Sequence, residues 1–221
     1  MNRLADETWT DADVAGPRVV LVPLGSCEQH GPHLPLDTDT RIAVAIADAA
    51  AARVDGVVVA PALSYGSSGE HAGFTGTLSI GQDALELVLI ELVRSADRFS
   101  TVVLVNGHGG NLEPVRRAER QLRRDGRSAR SWFPVIPGGD AHAGRTETSL
   151  MLAIDPSVVR LERAVAGNTA PLHALLADLQ LVGVVGVSPT GVLGDPTGAN
   201  ADEGRAMLDH LVDELVATLA H

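Results

Sequence analysis

The chain has few aromatic residues, a single cysteine, and fewer basic than acidic residues. Aromatic side chains make up 3% of the sequence, so alanine, valine and leucine must fill the core. One cysteine, Cys27, excludes an internal disulfide, which favours a cytoplasmic protein. The chain contains no run of about 18 apolar residues, so we expect no membrane-spanning helix.

The shortage of basic residues also limits the possible partners. The formal net charge is -11 at pH 7 over 221 residues. A nucleic-acid surface needs basic side chains to contact phosphates, and an anionic membrane face attracts basic proteins. We therefore expect neither a nucleic-acid partner nor a membrane partner. Residues 1–7 are charged and lack the apolar core of a secretory signal, which again favours the cytoplasm.

What the sequence does contain is an alternation of strand and helix patterns. Apolar runs predict strands at residues 19–22, 57–60, 101–105 and, more weakly, 128–135. Breaker-free or amphipathic stretches predict helices at residues 40–54, 83–96, 112–124, 147–154 and 201–219. Residues 62–78 are expected to form a long functional loop, and residues 171–196 show no clear pattern. This order predicts one α/β domain over residues 1–221, with a parallel sheet covered on both faces.

Three polar clusters, each flanked by glycine, interrupt this pattern. They lie at residues 25–39, 106–111 and 142–149, and the first two directly follow predicted strands. In open parallel sheets, ligands collect beyond the carboxyl ends of the strands. We therefore expect the clusters to meet at one edge of the sheet and to form a shared active site.

The residue types in these clusters suit a divalent metal. Glu28 and His30 are two residues apart, so on an extended segment they would face the same side. Asp39 stands just before a predicted helix, His108 lies among small glycines, and Glu147 could complete the set. Carboxylate oxygens together with imidazole nitrogens favour Zn, Mn or Fe(II) over Ca.

A pair of such ions would be nearly neutralised by these groups. Two dications carry four positive charges, which three carboxylates and one bridging hydroxide offset. The ions would lower the pKa of the bound water toward about 7, so that the hydroxide persists at ordinary pH. Metals about 3.5–4 Å apart could then present the nucleophile and polarise a carbonyl together.

Each of these residues also has a purely structural interpretation. Glu28 could pair with an arginine, and Asp39 could cap its helix. His30 and His33 could satisfy backbone groups of the turn.

Three further residues leave alternatives open. The glycine loop at His108 could bind a phosphate as a non-catalytic module, since such loops before helices bind anions. Cys27 could be a nucleophile or a small packed residue. His71 could contact the substrate or hydrogen-bond within its loop.

Taken together, the three clusters resemble the motifs of the creatininase family of amidohydrolases. The similar stretches run from Gly25 to Asp39, from Asn106 to Asn111 and from His142 to Ser149. The resemblance implies a three-layer α/β/α sandwich with a mostly parallel central sheet. It also implies two divalent ions per chain (Zn, Fe(II) or Mn) and a closed homo-oligomer, commonly a hexamer.

The resemblance further assigns roles to individual residues. One metal would be held by Glu28, Asp39 and His108. The second would be held by His30, Asp39 and Glu147, with Asp39 bridging the two. His142 would lie beside the substrate as a proton donor or orienting group, and Glu147 would also take part in catalysis. The expected substrate contacts are His71, Gly109 and His142.

Two departures from the family pattern concern the substrate. Enzymes specific for creatinine carry a metal-binding glutamate at the position of Gly110, so here Glu147 must supply that ligand. They also place a tryptophan shortly before the histidine that matches His142, where this chain has Pro137-Gly138-Gly139. Creatinine is therefore not the expected substrate. Arg145 stands where many relatives carry an acidic residue, which changes the charge near Glu147.

A closer similarity points to a peptidase branch of the family. It lies in residues 35–43, 137–140 and 190–196. That branch acts on a modified precursor peptide and releases its C-terminal unit, which derives from valine and tyrosine. The resemblance implies a metal-dependent hydrolase with a modified peptide as substrate. The alternative is an amidohydrolase acting on a small formamide or cyclic amide.

Overall fold

A parallel sheet forms the centre of the fold in the computed structural model, which describes residues 2–219. Its strands are β1 (Val19–Leu24), β2 (Val57–Val59), β3 (Thr101–Asn106) and β4 (Ala129–Trp132), in the spatial order β2-β1-β3-β4. All three strand pairings are parallel. Valine-rich runs form these strands because β-branched side chains pack well in a sheet that is buried on both faces.

Helices connect and cover the strands. They are α1 (Trp9–Ala15), α2 (Thr38–Ala51), α3 (Gln82–Arg94), α4 (Leu112–Arg124), α5 (Arg145–Ile154), α6 (Leu172–Val187) and α7 (Ala201–Leu219). Short 3-10 turns occupy Gly69–His71 and Gly109–Asn111. Within residues 2–219, no helix combines the length and apolarity needed to cross a bilayer.

The helices form two layers, one on each face of the sheet. Leu21 of β1 packs with apolar residues of α2, α5 and α7, whereas its neighbour Val20 packs with apolar residues of α3 and α4. Successive strand residues therefore enter opposite cores, as the two-residue period of a strand requires. The predicted three-layer α/β/α sandwich is confirmed.

All four strands differ in length from the sequence prediction, β2 and β3 by one residue and β1 and β4 by more. The first continues through Pro23 to Leu24 rather than stopping at residue 22. Pro23 lies opposite Val105 of β3, and its carbonyl accepts a hydrogen bond from Leu63 N–H at 2.9 Å. The fourth strand covers only residues 129–132, because Pro134 cannot donate to a strand ladder.

The segment without a clear pattern, residues 171–196, contains α6. This helix bends at Gly183, which has a φ of 66° in the left-handed region that favours glycine. A Cβ atom at this position would lie 2.9 Å from the carbonyl oxygen of Glu70. The apolar residues of α6 are distributed over all sides of the helix, and several of them are exposed. The sequence therefore shows no amphipathic period here.

Candidate metal centre

The polar clusters meet at the carboxyl edge of the sheet. β1 and β3 are neighbours, and their last residues, Leu24 and Asn106, lie opposite each other. The segment after β1 carries Glu28 and His30, and the segment after β3 carries His108. Helices α2 and α5 then bring Asp39 and Glu147 to the same place in their first turns. The structure thus brings together all five side chains that were predicted to be metal ligands.

Two glycines allow α2 to approach the strand ends closely. A Cβ atom at Gly25 would lie 2.5 Å from the backbone N and Cα of Thr40. A Cβ atom at Gly107 would lie 2.5 Å from the carbonyl oxygen of Asp39. Side chains at these positions would push the start of α2, and Asp39 with it, away from the sheet edge.

Asp39 lies at the centre of the cluster and is almost fully buried. Its Oδ1 lies 3.0 Å from His30 Nε2, and its Oδ2 lies 3.0 Å from His108 Nδ1. Ser26 Oγ donates a hydrogen bond to Oδ2 at 2.7 Å. Each carboxylate oxygen therefore faces a different imidazole, which is the arrangement that a bridging ligand requires. The alternative role as a helix cap is wrong, because α2 begins at Thr38 and Asp39 lies inside its first turn.

Glu28 tests whether the site fits a cation. Its side chain is fully buried, and neither carboxylate oxygen has a hydrogen-bond partner among the described residues. Its Oε2 lies 3.1 Å from His108 Nε2, and no arginine pairs with it in the described chain. A buried carboxylate without partners is unfavourable unless a cation neutralises it. The donor set therefore fits a metal, and the alternative of an arginine pair is wrong.

Among the described residues, three groups of side chains have the spacing needed to hold an ion, with potential ligand atoms within 4.8 Å of one another. Two of them share Asp39 and match the two sets that the resemblance implied, and we call these two the ligand groups: Glu28, Asp39 and His108, and His30, Asp39 and Glu147. The third consists of Glu28, His30 and His142 and lacks Asp39.

The electrostatics of the centre match a site built for positive charge. Burial disfavours protonated His30, but the charge and hydrogen bond of Asp39 outweigh it and raise the pKa of His30 to about 10. Burial also opposes protonation of His108, yet the charge of Glu28 and the contact with Asp39 raise its pKa to about 9. Burial of Asp39 favours its protonated form, but the two imidazoles hold its pKa well below the ordinary value. Without bound cations, the two imidazoles therefore carry the positive charge of the centre.

Burial is the largest cause of the pKa shifts of the other four groups, which are Glu28, Glu147, His71 and His142. Burial raises the pKa of Glu28 to about 8 and that of Glu147 to about 7. Burial lowers the pKa of His71 to about 3 and lowers that of His142 well below its ordinary value. Both histidines are therefore neutral around pH 7.

Glu147 is positioned by the turn that precedes α5. Its Oε2 accepts a hydrogen bond from Ala143 N–H at 2.6 Å and lies 3.9 Å from His30 Nε2. Ala143 has a φ of 52°, an uncommon conformation for a residue with a Cβ atom. Asp140 accepts from Thr146 N–H at 3.0 Å and also from the N–H of the residue before it, so it caps the start of α5.

Arg145 pairs with a carboxylate outside the ligand groups. Its Nε lies 2.8 Å from Glu203 Oε2 of α7, and its side chain is about half exposed. The positive charge that this residue adds to the sequence near Glu147 therefore has a partner of its own.

The space beside Gly110 is already filled by other groups of this chain. A Cβ atom there would lie 2.5 Å from both His108 Nε2 and Glu70 Oε1 and would overlap the carbonyl of Ser67. Glu70 reaches this space from the 3-10 turn Gly69–His71, and its Oε1 lies 3.9 Å from His108 Nε2. Sequence reasoning missed Glu70, because only the fold brings residue 70 next to residue 108.

His71, His142 and Gly109 are the expected substrate contacts. His71 is buried, and its Nε2 lies 3.3 Å from Glu28 Oε1, so it contacts the centre. His142 Nδ1 lies 3.9 Å from the same oxygen. Gly109 is exposed with open space at its Cβ position.

His33 and His30, which could each have satisfied backbone groups of the turn, differ in what their side chains contact. His33 does not satisfy the turn backbone: its Nε2 lies 2.9 Å from Thr148 Oγ1. His30 does contact the backbone, since its Nδ1 lies 3.1 Å from the carbonyl oxygen of Glu28. That contact leaves Nε2 of His30 free to face Asp39 and a cation.

The alternatives for Cys27 and for the glycine loop are also resolved by position. Cys27 is partly buried, with Sγ 3.7 Å from the carbonyl oxygen of Gly76, and it belongs to neither ligand group. His108 is surrounded by the carboxylates of Glu28, Asp39 and Glu70. These negative charges would repel a phosphate, so the anion-binding interpretation of this loop is not supported.

A large cavity opens next to the centre. Its volume is about 1190 Å³, and its walls include His108 and Glu147. The apolar part of the wall includes Phe133, Pro134, Val135, Ile136, Leu150, Met207 and Leu211. Gly138 and Gly139 also line it, so this side of the cavity carries little side-chain bulk. The cavity is wide enough to admit a ligand larger than a small heterocycle.

A parallel α/β/α sandwich with a buried carboxylate and imidazole centre at its strand ends defines a metal-dependent hydrolase. The creatininase family model, described as creatinine amidohydrolase, matches residues 5–219. The chain therefore belongs to the creatininase family, and its relatives named peptidase and amidohydrolase support a hydrolase that acts on C–N bonds.

Individual relatives agree with this assignment. The chain is 54% identical over 211 residues to the "Mycofactocin precursor peptide peptidase" of Mycobacterium ulcerans, covering 91% of this chain and 84% of that protein. Among solved structures, one described as "Creatininase Mn" superposes with a TM-score of 0.80 at 25% identity, covering 99% of this chain and 97% of that one. A creatininase mutant of the "Zn-Zn type" gives a TM-score of 0.81 at 27% identity, covering 98% and 96%.

Proposed function

We propose that this metal-dependent amidohydrolase cleaves the modified precursor peptide of mycofactocin and releases its C-terminal unit, which derives from valine and tyrosine. The observation that carries the proposal is the 54% identity to a protein named for this peptide. The cavity beside the centre supports it, because its volume of about 1190 Å³ suits the end of a peptide.

Two divalent ions are the proposed cofactors. Glu28, Asp39 and His108 would hold one, and His30, Asp39 and Glu147 the other. When bound, the ions supply an activated water at neutral pH and polarise the carbonyl of the scissile amide. The Zn and Mn forms of related structures support both metals as candidates.

The protein's own groups would position the substrate and move protons. The apolar walls around Phe133 and Met207 would bind the released unit, and the Gly138–Gly139 side leaves room for the peptide chain. His142 is buried, neutral at pH 7 and close to Glu28 and His30, so it can exchange a proton with the reacting amide. The backbone N–H of Ala143 holds Glu147 in place during the reaction.

The exposed apolar side chains support a homo-oligomer. Leu172, Leu176, Leu181, Val182 and Val185 of α6 are all exposed in the single chain. Burial of such side chains between copies is favourable, at about 25 cal/mol per Å² of apolar area. We propose a closed assembly such as a hexamer, which light scattering after size-exclusion chromatography would test. A monomer at micromolar concentration would contradict it.

The function is tested with purified protein loaded with Zn or Mn. One reaction contains the modified precursor peptide, and parallel reactions contain a formamide and a cyclic amide. Mass spectrometry should show cleavage of the peptide before its C-terminal unit and no change in the small amides. Cleavage of a small amide with an intact peptide would replace the proposal by the alternative function.

A further inference from the structure

Gln29 stands between two proposed ligands in sequence yet belongs to neither ligand group. Its side chain is buried, and its Nε2 has three close neighbours. They are Nδ1 of His71 at 2.9 Å, Nε2 of His142 at 3.0 Å and the carbonyl oxygen of Gly191 at 3.0 Å. An amide nitrogen has only two hydrogens, so one of these neighbours is not an acceptor.

The orientation of the Gln29 amide is determined by the backbone around it. Its Oε1 accepts a hydrogen bond from Gly31 N–H at 2.8 Å, so the oxygen and nitrogen cannot be exchanged. The turn at Gly191, with a φ of 79°, packs so closely that a Cβ atom there would overlap Oε1. One amide hydrogen must point to the carbonyl of Gly191, since a carbonyl only accepts.

The second hydrogen can be assigned from His142. Nε2 of this ring lies 2.9 Å from the backbone carbonyl oxygen of Gln29. Because that carbonyl can only accept, Nε2 of His142 must carry a proton and cannot accept from Gln29. The second amide hydrogen of Gln29 therefore points to Nδ1 of His71.

We infer that Gln29 is a positioning residue that gives His71 and His142 opposite tasks. His71 accepts from Gln29 at Nδ1, so its proton lies on Nε2, which faces Glu28 Oε1 at 3.3 Å. His142 carries its proton on Nε2, so its Nδ1 is bare and faces the centre, 3.9 Å from the same oxygen. His71 thus turns an N–H dipole toward a proposed metal ligand, and His142 turns a lone pair toward the centre.

The two proton positions suit the two histidines to different roles. The N–H dipole of His71 points its positive end at the Glu28 carboxylate at 3.3 Å and so favours the charged form of that ligand, as outer groups commonly tune metal ligands. The bare nitrogen of His142 is left to accept a hydrogen bond from a group bound at the centre. The proton positions follow from the hydrogen bonds alone.

The proton positions can be observed directly by neutron diffraction of the deuterium-exchanged wild-type protein. We expect deuterium on Nε2 of His71 and on Nε2 of His142, with neither Nδ1 deuterated. Deuterium on Nδ1 of His71 would overturn the inference. A wild-type protein that leaves the peptide uncleaved would overturn the proposed function but would not alter these positions, so the two failures are distinguishable.

A variant tests whether Gln29 acts through His71. Gln29→Met keeps the length of the side chain and removes its hydrogen bonds, and Gln82→Met at the exposed first residue of α3 is the matched control. We expect Gln29→Met to weaken zinc affinity, measured by chelator competition, by about 10- to 100-fold. The control should bind zinc as wild type does.

The double variant distinguishes positioning from general packing. In a His71→Phe background, Gln29→Met should lower zinc affinity by less than about twofold further, because its partner is already gone. Equal losses in both backgrounds, or wild-type affinity in Gln29→Met, would overturn the role of Gln29. If Gln29→Met fails to fold, the neutron measurement on the wild type still decides the proton positions.

Discussion

Substitution of Asp39 by asparagine is the most informative change to the centre. The asparagine side chain would keep the volume of the aspartate but lose the charge that faces His30 and His108 at 3.0 Å each. Since Asp39 belongs to both ligand groups, we expect Asp39→Asn to lose both metals rather than one. Hydrolysis should fall below detection for the same reason.

The effect on stability follows from the burial of these contacts. In the metal-free protein, removing one partner of a buried ion pair costs about 3–5 kcal/mol. We therefore expect Asp39→Asn to lower the free energy of unfolding by roughly that amount. Zinc at 100 times its Kd should stabilise the wild type by about 2.7 kcal/mol per site, whereas the variant should gain nothing.

The assay compares metal content and unfolding in the variant and in a neighbouring control. Asp37→Asn removes a half-exposed carboxylate that pairs with Arg41 at 2.8 Å, two residues from Asp39 and outside the ligand groups. Elemental analysis after dialysis should find two ions in wild type and Asp37→Asn, and none in Asp39→Asn. Two ions and full turnover in Asp39→Asn would refute the bridging role.

Four further predictions follow from particular contacts. Gly110→Ala should displace His108 and lower metal content, whereas Gly109→Ala, with open space at its Cβ position, should not; equal metal content would refute the steric argument. Because His30 and His108 have raised pKa values of about 10 and about 9 without metal, a cation must displace their protons. Zinc affinity should therefore rise about tenfold per pH unit for each proton displaced, and titration calorimetry should detect the released protons. In the metal-free protein these raised values add stability below about pH 6.5 that is lost as pH rises toward 9 and 10. Gly204→Ala would place a methyl group against the backbone of α5, so denaturant unfolding should show a loss of about 1–3 kcal/mol, and an unchanged midpoint would contradict this.

Most of the fold could be predicted from local patterns. The β-branched runs of the strands and the apolar spacing of α3 and α7 are local signals, and their order implied a parallel sheet. Pro23 misled the prediction of β1, because its effect depends on whether a neighbouring strand needs its N–H. Helix α6 was missed because its apolar residues lie on all of its sides and glycines stand at 183 and 186, so it has no amphipathic period.

Some residues of the candidate site could also be predicted from the sequence, and others could not. Glu28, His30 and His108 lie in short motifs whose residue types carry the chemistry, so sequence alone could single them out. Gln29 and Glu70 carry no such signal, because their partners are distant in the chain. Gln29 meets His71 across 42 residues and His142 across 113, and only the folded structure brings them together.

Five side chains from distant parts of the chain are proposed to hold two cations bridged by Asp39, and the mechanism depends on this pair. Anomalous X-ray diffraction from crystals of the protein, purified without added metal and then loaded with zinc, would locate the ions. We predict two peaks about 3.5–4 Å apart on either side of the Asp39 carboxylate. A single peak, or peaks remote from Asp39, would contradict the bridged pair.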